Sequence, residues 1–132
     1  MGFNDAGWDS GPGLYGYETS VVPSPGITTP FENPNSPGND ILTYYFRTTF
    51  EFNGTVVGTG ISIDTILDDG AGFWLNGQWL GGIGVSEGAS YTTTAGRTIS
   101  DASEEEAVVT SSAPPLVVGT NVLAVEVHQT GT

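Results

Sequence analysis

The stretch from Leu67 to Leu80 reads Leu-Asp-Asp-Gly-Ala-Gly-Phe-Trp-Leu-Asn-Gly-Gln-Trp-Leu, and its Asn-Gly pair lies between alternating apolar residues. That pattern predicts a two-residue β-hairpin, because a type I′ turn needs positive φ at both central positions and Asn followed by Gly accepts it best. With Asn76 and Gly77 in the turn, Leu75 faces Gln78, Trp74 faces Trp79 and Phe73 faces Leu80. Cross-strand partners share one side of a sheet. Alternation therefore sends Ala71, Phe73 and Leu80 into a core and brings Trp74 and Trp79 out together on the opposite face, bordered by Gly72 and Gly81. Two neighbouring indoles on an exposed sheet face predict a surface on which a ligand stacks.

The rest of the chain follows the same grammar. Short alternating runs separated by Gly, Pro, Asn and Asp recur, and helical periodicity is missing, which predicts an all-β antiparallel sandwich. Strands are expected at Leu42 to Phe52, Thr59 to Ile66, Ala71 to Leu75, Gln78 to Gly81, Ser90 to Thr93, Glu105 to Thr110 and Asn121 to His128. Six of the eight prolines fall in residues 1–40, so that segment is expected to form an irregular wrap with one short strand near Tyr17 to Val22. Ser103 to Glu106 is the one place where a helical turn could start, a serine cap preceding acidic residues. No composition shift divides the 132 residues, which reads as a single module, 1–132.

Fifteen acidic residues stand against Arg47 and Arg97, there is no lysine, and the formal net charge is −13. Nucleic-acid phosphates and anionic lipid surfaces are repelled by such a chain. Its solubility suits a salty or extracellular setting, where charges are screened over ~8–10 Å. No cysteine is present, so disulfides and thiolate metal sites are excluded. The opening residues Met1 to Asp5 carry no basic segment and no apolar run, and no stretch approaches the ~20 apolar residues of a helical membrane span.

Four segments taken together resemble the galactose-binding-like jelly-roll modules of large secreted bacterial proteins and of glycoside hydrolases. They are Phe3 to Pro12 with Gly16-Tyr17; Tyr44-Tyr45-Phe46-Arg47-Thr48-Thr49-Phe50; Asp68 to Ala71 with Leu75-Asn76-Gly77; and Gly119 to Gln129, reading Gly-Thr-Asn-Val-Leu-Ala-Val-Glu-Val-His-Gln. The resemblance implies a jelly-roll β-sandwich in an extracellular protein with neighbouring domains. Its roles range over carbohydrate binding, calcium binding, adhesion and scaffolding. Such modules normally add a strand after the position of Gln129, so residues 121–128 are expected to form an open edge through which the chain self-associates or accepts a partner strand, the alternative being a closed monomer whose edge the N-terminal wrap covers.

For carbohydrate binding, Trp74 and Trp79 are the stacking residues, since pyranose C–H faces pack on indole. Asn76, Gln78, Tyr91 and Arg47 are their candidate polar neighbours. Trp8 is expected to plug one end of the sandwich, and Tyr15 and Tyr17 either line a loop site or form a buried tyrosine corner. Asp64, Asp68 and Asp69, or alternatively Asp5 and Asp9 with Glu18, supply the hard oxygens of a structural calcium site, although neither set has EF-hand spacing. His128, the only histidine, stands beside Glu126 on one strand face and reads as a structural residue. One histidine cannot form a metal-hydrolase cluster, no Gly-x-Ser-x-Gly elbow occurs, and no spacing singles out a carboxylate pair. The leading expectation is a non-catalytic polysaccharide-binding module. The alternative is a structural or adhesive module making protein contacts.

Overall fold

The structure is a computed structural model. It describes residues 4–19, 21–33, 38, 41–99, 105–109 (backbone only) and 113–131. Among them there is no helix, and the chain is all-β. The strands are β1 (Tyr15–Gly16), β2 (Thr29–Pro30), β3 (Thr43–Phe52), β4 (Ser62–Ile66), β5 (Gly70–Leu75), β6 (Gln78–Ile83), β7 (Glu105–Val109) and β8 (Gly119–His128). A four-stranded antiparallel sheet has the order β3-β8-β5-β6, β4 and β7 form an antiparallel pair, and β1 and β2 make a two-residue parallel bridge.

The hairpin forms as its residues dictate. Asn76 has φ 51° and Gly77 φ 80°, and Leu75 faces Gln78 and Trp74 faces Trp79. Beyond that pair the register shifts: Phe73 faces Gly81 and not Leu80, and Gly72 faces Gly82. A bulge at Leu80 accommodates one extra residue in β6. Leu80 still packs against the core cluster of Leu67, Ala71 and Phe73, joined by Ile63, Ile83, Val125 and Val127. Full burial of Phe73 alone is worth about 2–3 kcal/mol.

Register fixes the two faces of the large sheet. The core face carries Tyr44 and Phe46 of β3, Val125 and Val127 of β8, and Ala71 and Phe73 of β5. Ile63 of β4 packs on it at one side. At the other side the N-terminal wrap covers it: the Phe31 ring stacks on Tyr44 at 4.7 Å and 5°, and Tyr15 leans on Phe46 at 5.1 Å. Of the short strand expected at Tyr17 to Val22, Ser20 lies outside the described residues and the others are in no strand, the pairing here being the β1–β2 bridge; Tyr15 belongs to this aromatic cluster, its hydroxyl donating to the Gly11 carbonyl.

Three other expectations are corrected. Ser90 to Thr93 is a turn, closed by Thr93 N–H donating to the Ser90 carbonyl and by Ser90 N–H donating to Thr93 Oγ1 at 3.0 Å. Thr59 belongs to a turn that starts at Thr55, its hydroxyl donating to the Thr55 carbonyl, so β4 begins only at Ser62. The segment expected to be an open edge, 121–128, is the interior of the sheet: β8 pairs with β3 on one side and β5 on the other, and no pairing row of β8 is left for a partner chain. Of the expected helical turn, residues 103 and 104 lie outside the described residues, while Glu105 and Glu106 are in β7.

Candidate functional site: an aromatic trough on the outer sheet face

Opposite the core, the same sheet presents Thr43, Tyr45 and Arg47 of β3, Ala124, Glu126 and His128 of β8, Gly70, Gly72 and Trp74 of β5, and Trp79 and Gly82 of β6. The register lines them up in rows: Arg47, Ala124, Trp74, Trp79; then Tyr45, Glu126, Gly72, Gly82; then Thr43, His128, Gly70. In the first row the large side chains of Arg47 and Trp74 therefore flank the small Ala124, and in the second Tyr45 stands across Glu126 from Gly72. Two strand spacings, about 10 Å, separate the walls.

The first two rows are open on the β3 side, while on the β5–β6 side the second is covered by the indoles and the Val85 carbonyl. Trp8, Tyr45, Arg47, Trp74, Val122, Ala124 and Glu126 line a groove of about 750 Å³. Trp74 and Trp79 meet edge to face, 4.8 Å between ring centroids at 70°. Both are half-buried, because they lie across Gly72, where a Cβ would come within 2.7 Å of Trp79 Cζ3 and 2.9 Å of Trp74 Cη2. The two indoles share one face as expected, and their edge-to-face packing makes them a braced wall with Trp74 toward the groove. The bordering glycine on β6 is Gly82, displaced from Gly81 by the bulge.

The third row is closed. The loop leaving β6 folds back over it: Thr43 Oγ1 donates to the Tyr91 carbonyl at 2.8 Å, the Ala95 N–H donates to the Gln129 carbonyl at 3.0 Å, and a Cβ on Gly70 would meet Ala95 Cβ at 2.9 Å. His128, fully buried, donates from Nδ1 to the Thr93 carbonyl at 2.6 Å. A carbonyl only accepts, so this contact assigns the proton to Nδ1. His128 Nε2 then faces Glu126 Oε1 at 3.4 Å, and neither of those atoms has a hydrogen bond.

Arg47, a candidate polar neighbour, lies in the groove in the row of Trp74, and its guanidinium is tied to Asp5. That hydrogen bond from Arg47 is the main reason the Asp5 carboxyl is held below its ordinary value. Tyr91 stands past the rim, 69% exposed, sharing a smaller hollow with Tyr45. Burial raises the Tyr45 hydroxyl, with the Glu126 charge and Tyr91 adding to it.

Of the two other candidate polar neighbours, Asn76 does line the groove, though its amide is committed within the protein, and Gln78 is corrected. Asn76 Nδ2 donates to the Pro115 carbonyl at 2.7 Å and to Asn121 Oδ1 at 2.9 Å, and its Oδ1 accepts from Val122 N–H at 2.9 Å. Its amide is engaged throughout, fixing the turn to the start of β8. Gln78 pairs with Leu75, on the face away from the indoles. Tyr45, Glu126, Ala124, Val122 and Trp8 are groove residues that the sequence reading did not assign to it. Alternation along β3 places Tyr45 beside Arg47, and the non-core side of β8 holds Ala124 and Glu126. Only the β3-β8-β5 order joins those two faces to the hairpin.

The predicted calcium ligands do not assemble. Asp64 is exposed on β4. Asp69 is buried, with Oδ1 accepting from Ile99 N–H at 2.7 Å and Oδ2 from Thr130 N–H at 2.8 Å and Thr130 Oγ1 at 2.9 Å. Desolvation pushes the Asp69 carboxyl up, and the bonds from Ile99, Thr130 and Asp68 outweigh it, so the net direction is down. In the alternative set, Asp5 is taken up by Arg47. Among the described residues no three of His, Asp and Glu come together so as to hold a metal ion.

Comparison of the chain with protein-family models, with curated proteins and with solved structures finds no match in any of the three. The trough therefore has to be interpreted from its own geometry.

Proposed function

We propose that this chain is a non-catalytic carbohydrate-binding module whose outer sheet face takes a polysaccharide segment between Trp74 and Tyr45. The observation that carries the reading is the open trough: aromatic walls, a floor of Ala124 and Val122, one guanidinium and one carboxylate. Its volume falls in the range of ligand sites, about 300–1,000 Å³. A pyranose offers flat C–H faces to aromatic rings and hydroxyls to a few fixed polar groups, and the trough supplies both kinds of partner. Tyr45, 49% exposed, and Trp74 form the two flanks. The all-β architecture with antiparallel sheets accords with a jelly-roll module of the galactose-binding-like type in an extracellular multidomain protein. The resemblance in motif order supports that finer assignment.

Affinity electrophoresis through soluble glucans, xylans, mannans and galactans tests the proposal. The wild type should be retarded by at least one neutral polysaccharide. Trp74→Ala should lose about tenfold in affinity, the equivalent of one stacking contact of ~1–1.5 kcal/mol. Unretarded migration of the wild type on every gel would refute carbohydrate binding and leave the trough to protein contacts.

A further inference from the structure

Glu126 is 6% exposed and still forms part of the trough lining. A carboxylate buried to that degree needs partners, since desolvation strongly disfavours its charge. Glu126 has His128 Nε2 facing Oε1 at 3.4 Å without a hydrogen bond. The other polar groups of the trough differ: Asn76 is engaged by Pro115, Asn121 and Val122, and the Arg47 charge is met by Asp5. Glu126 Oε1 is enclosed against His128, so it is through its other carboxylate oxygen, to which no described group donates, that Glu126 is an unfilled acceptor for the groove.

Resting on the carbohydrate reading, we propose that Glu126 is the specificity-determining residue of the trough: it accepts hydrogen bonds from hydroxyls of a neutral sugar and excludes sugars bearing carboxylate or sulfate. An ionised carboxyl is acceptor-only, with about four lone-pair sites. It therefore matches hydroxyl donors and opposes a uronate oxygen, which offers no proton and carries like charge. Arg47 does not reverse that preference. Asp5 neutralises it, leaving its remaining N–H groups to donate to ring or hydroxyl oxygens of a neutral sugar. Position supports the assignment: Glu126 lies directly between Tyr45 on β3 and Gly72 on β5, at the foot of the aromatic walls, where the edge of a ring stacked on either flank would present its hydroxyls.

The test uses matched polysaccharides, galactan against polygalacturonate and mannan against alginate, in ~0.1 M and 1 M NaCl. At the higher salt the screening length falls to about 3 Å, which removes the general repulsion of a chain with net charge −13 and leaves contact effects. The wild type should bind the neutral member at least tenfold more tightly than its uronate counterpart, and the preference should persist in 1 M NaCl. Glu126→Gln should lose about tenfold on the neutral ligand and narrow the gap. Equal binding of neutral and uronate ligands by the wild type in 1 M NaCl, or undiminished binding of the neutral ligand by a folded Glu126→Gln, would overturn the proposal. Should circular dichroism show that variant unfolded, the wild-type preference in 1 M NaCl decides alone. Failure of the carbohydrate reading looks different, with no glycan of either kind retarding the wild type.

Discussion

Two buried acidic regions of this molecule have opposite characters. Before β5, Asp69 is ringed by donors: two backbone N–H groups and a hydroxyl reach its two oxygens, tying the segment after Leu67 to Ile99 and to Thr130 just past β8. In the middle of β8, Glu126 has comparable burial and none of those bonds, with a histidine nitrogen at 3.4 Å for company. A carboxylate with its lone pairs filled works as a clamp between chain segments. One left unfilled at the floor of an open groove is a recognition group, since leaving a buried acceptor unmet costs about 1–3 kcal/mol that a clamp would avoid. The same side-chain chemistry is structural in one region and available to a ligand in the other, and the difference lies in the count of donors, not in depth.

The contrast is broken most easily at its structural end. Asp69→Ala removes the acceptor for three donors and should destabilise the fold by about 3 kcal/mol at neutral pH, read by urea denaturation, with glycan binding per folded molecule unchanged. The Asp69 carboxyl is held below its ordinary value, so its stabilising effect is fully present above the unfolded value of about 3.9 and fades as pH falls through the lower folded value. The gap between wild type and Asp69→Ala should accordingly be constant from pH 5 to 7 and shrink below pH 4. A gap that widens in acid would remove Asp69 as a clamp.

At the recognition end, Glu126→Gln should alter stability by less than about 1 kcal/mol, because a neutral isostere in place of a poorly bonded buried carboxylate relieves desolvation and breaks no hydrogen bond that the protein makes to it. A loss as large as that of Asp69→Ala would make the two regions alike and would count against the distinction. Ala124→Leu sharpens it further. The added side chain fills the trough floor without touching the opposite, core face, so binding should fall by tenfold or more while the urea midpoint stays close to wild type.

The smallest stability effect is expected at a third carboxylate, Asp5, which is paired with Arg47 at the surface. Exposed pairs contribute little and are screened by salt. Asp5→Asn should move the melting temperature less than Asp69→Ala or Glu126→Gln, and 0.5 M NaCl should erase the difference. Its effect on binding is the more telling readout. Freed of Asp5, Arg47 should improve the binding of uronate ligands relative to the wild type.

The legible parts of the structure were those set by local rules. The Asn-Gly turn fixed the pairing of Trp74 with Trp79, and alternation separated Phe73 from Trp74. The same register also places Gln78 away from the indoles, a consequence of the Leu75 pairing. The bulge at Leu80 escaped because nothing in the apolar pattern marks one extra residue ahead of Gly81-Gly82. Ser90 to Thr93 looked like a strand by β-branched content, but its hydroxyls bond the local backbone and close a turn. Asn76 was legible as a turn residue, and its second task was not, since Asn121 lies 45 positions away. The trough depended on the strand order β3-β8-β5, which joins Tyr45, Glu126 and Trp74 across three distant segments and leaves no trace in any one of them.

That strand order also sets a timetable for biosynthesis. β8 comes last in chain order among the strands of its sheet, yet it occupies an interior place between β3 and β5, and the pair Thr43–His128 spans 85 positions. The β5–β6 hairpin closes within microseconds once made. It then has nothing to dock against, because its partner on the other edge is still being translated. At about 5–20 residues per second, the interval between completion of β3 and arrival of β8 is on the order of several seconds, during which β3 and β5 wait with unpaired backbone. Folding therefore comes as a late, non-local event in the slow millisecond-to-second class. The net charge of −13 would, through those seconds, keep one nascent chain from pairing with another.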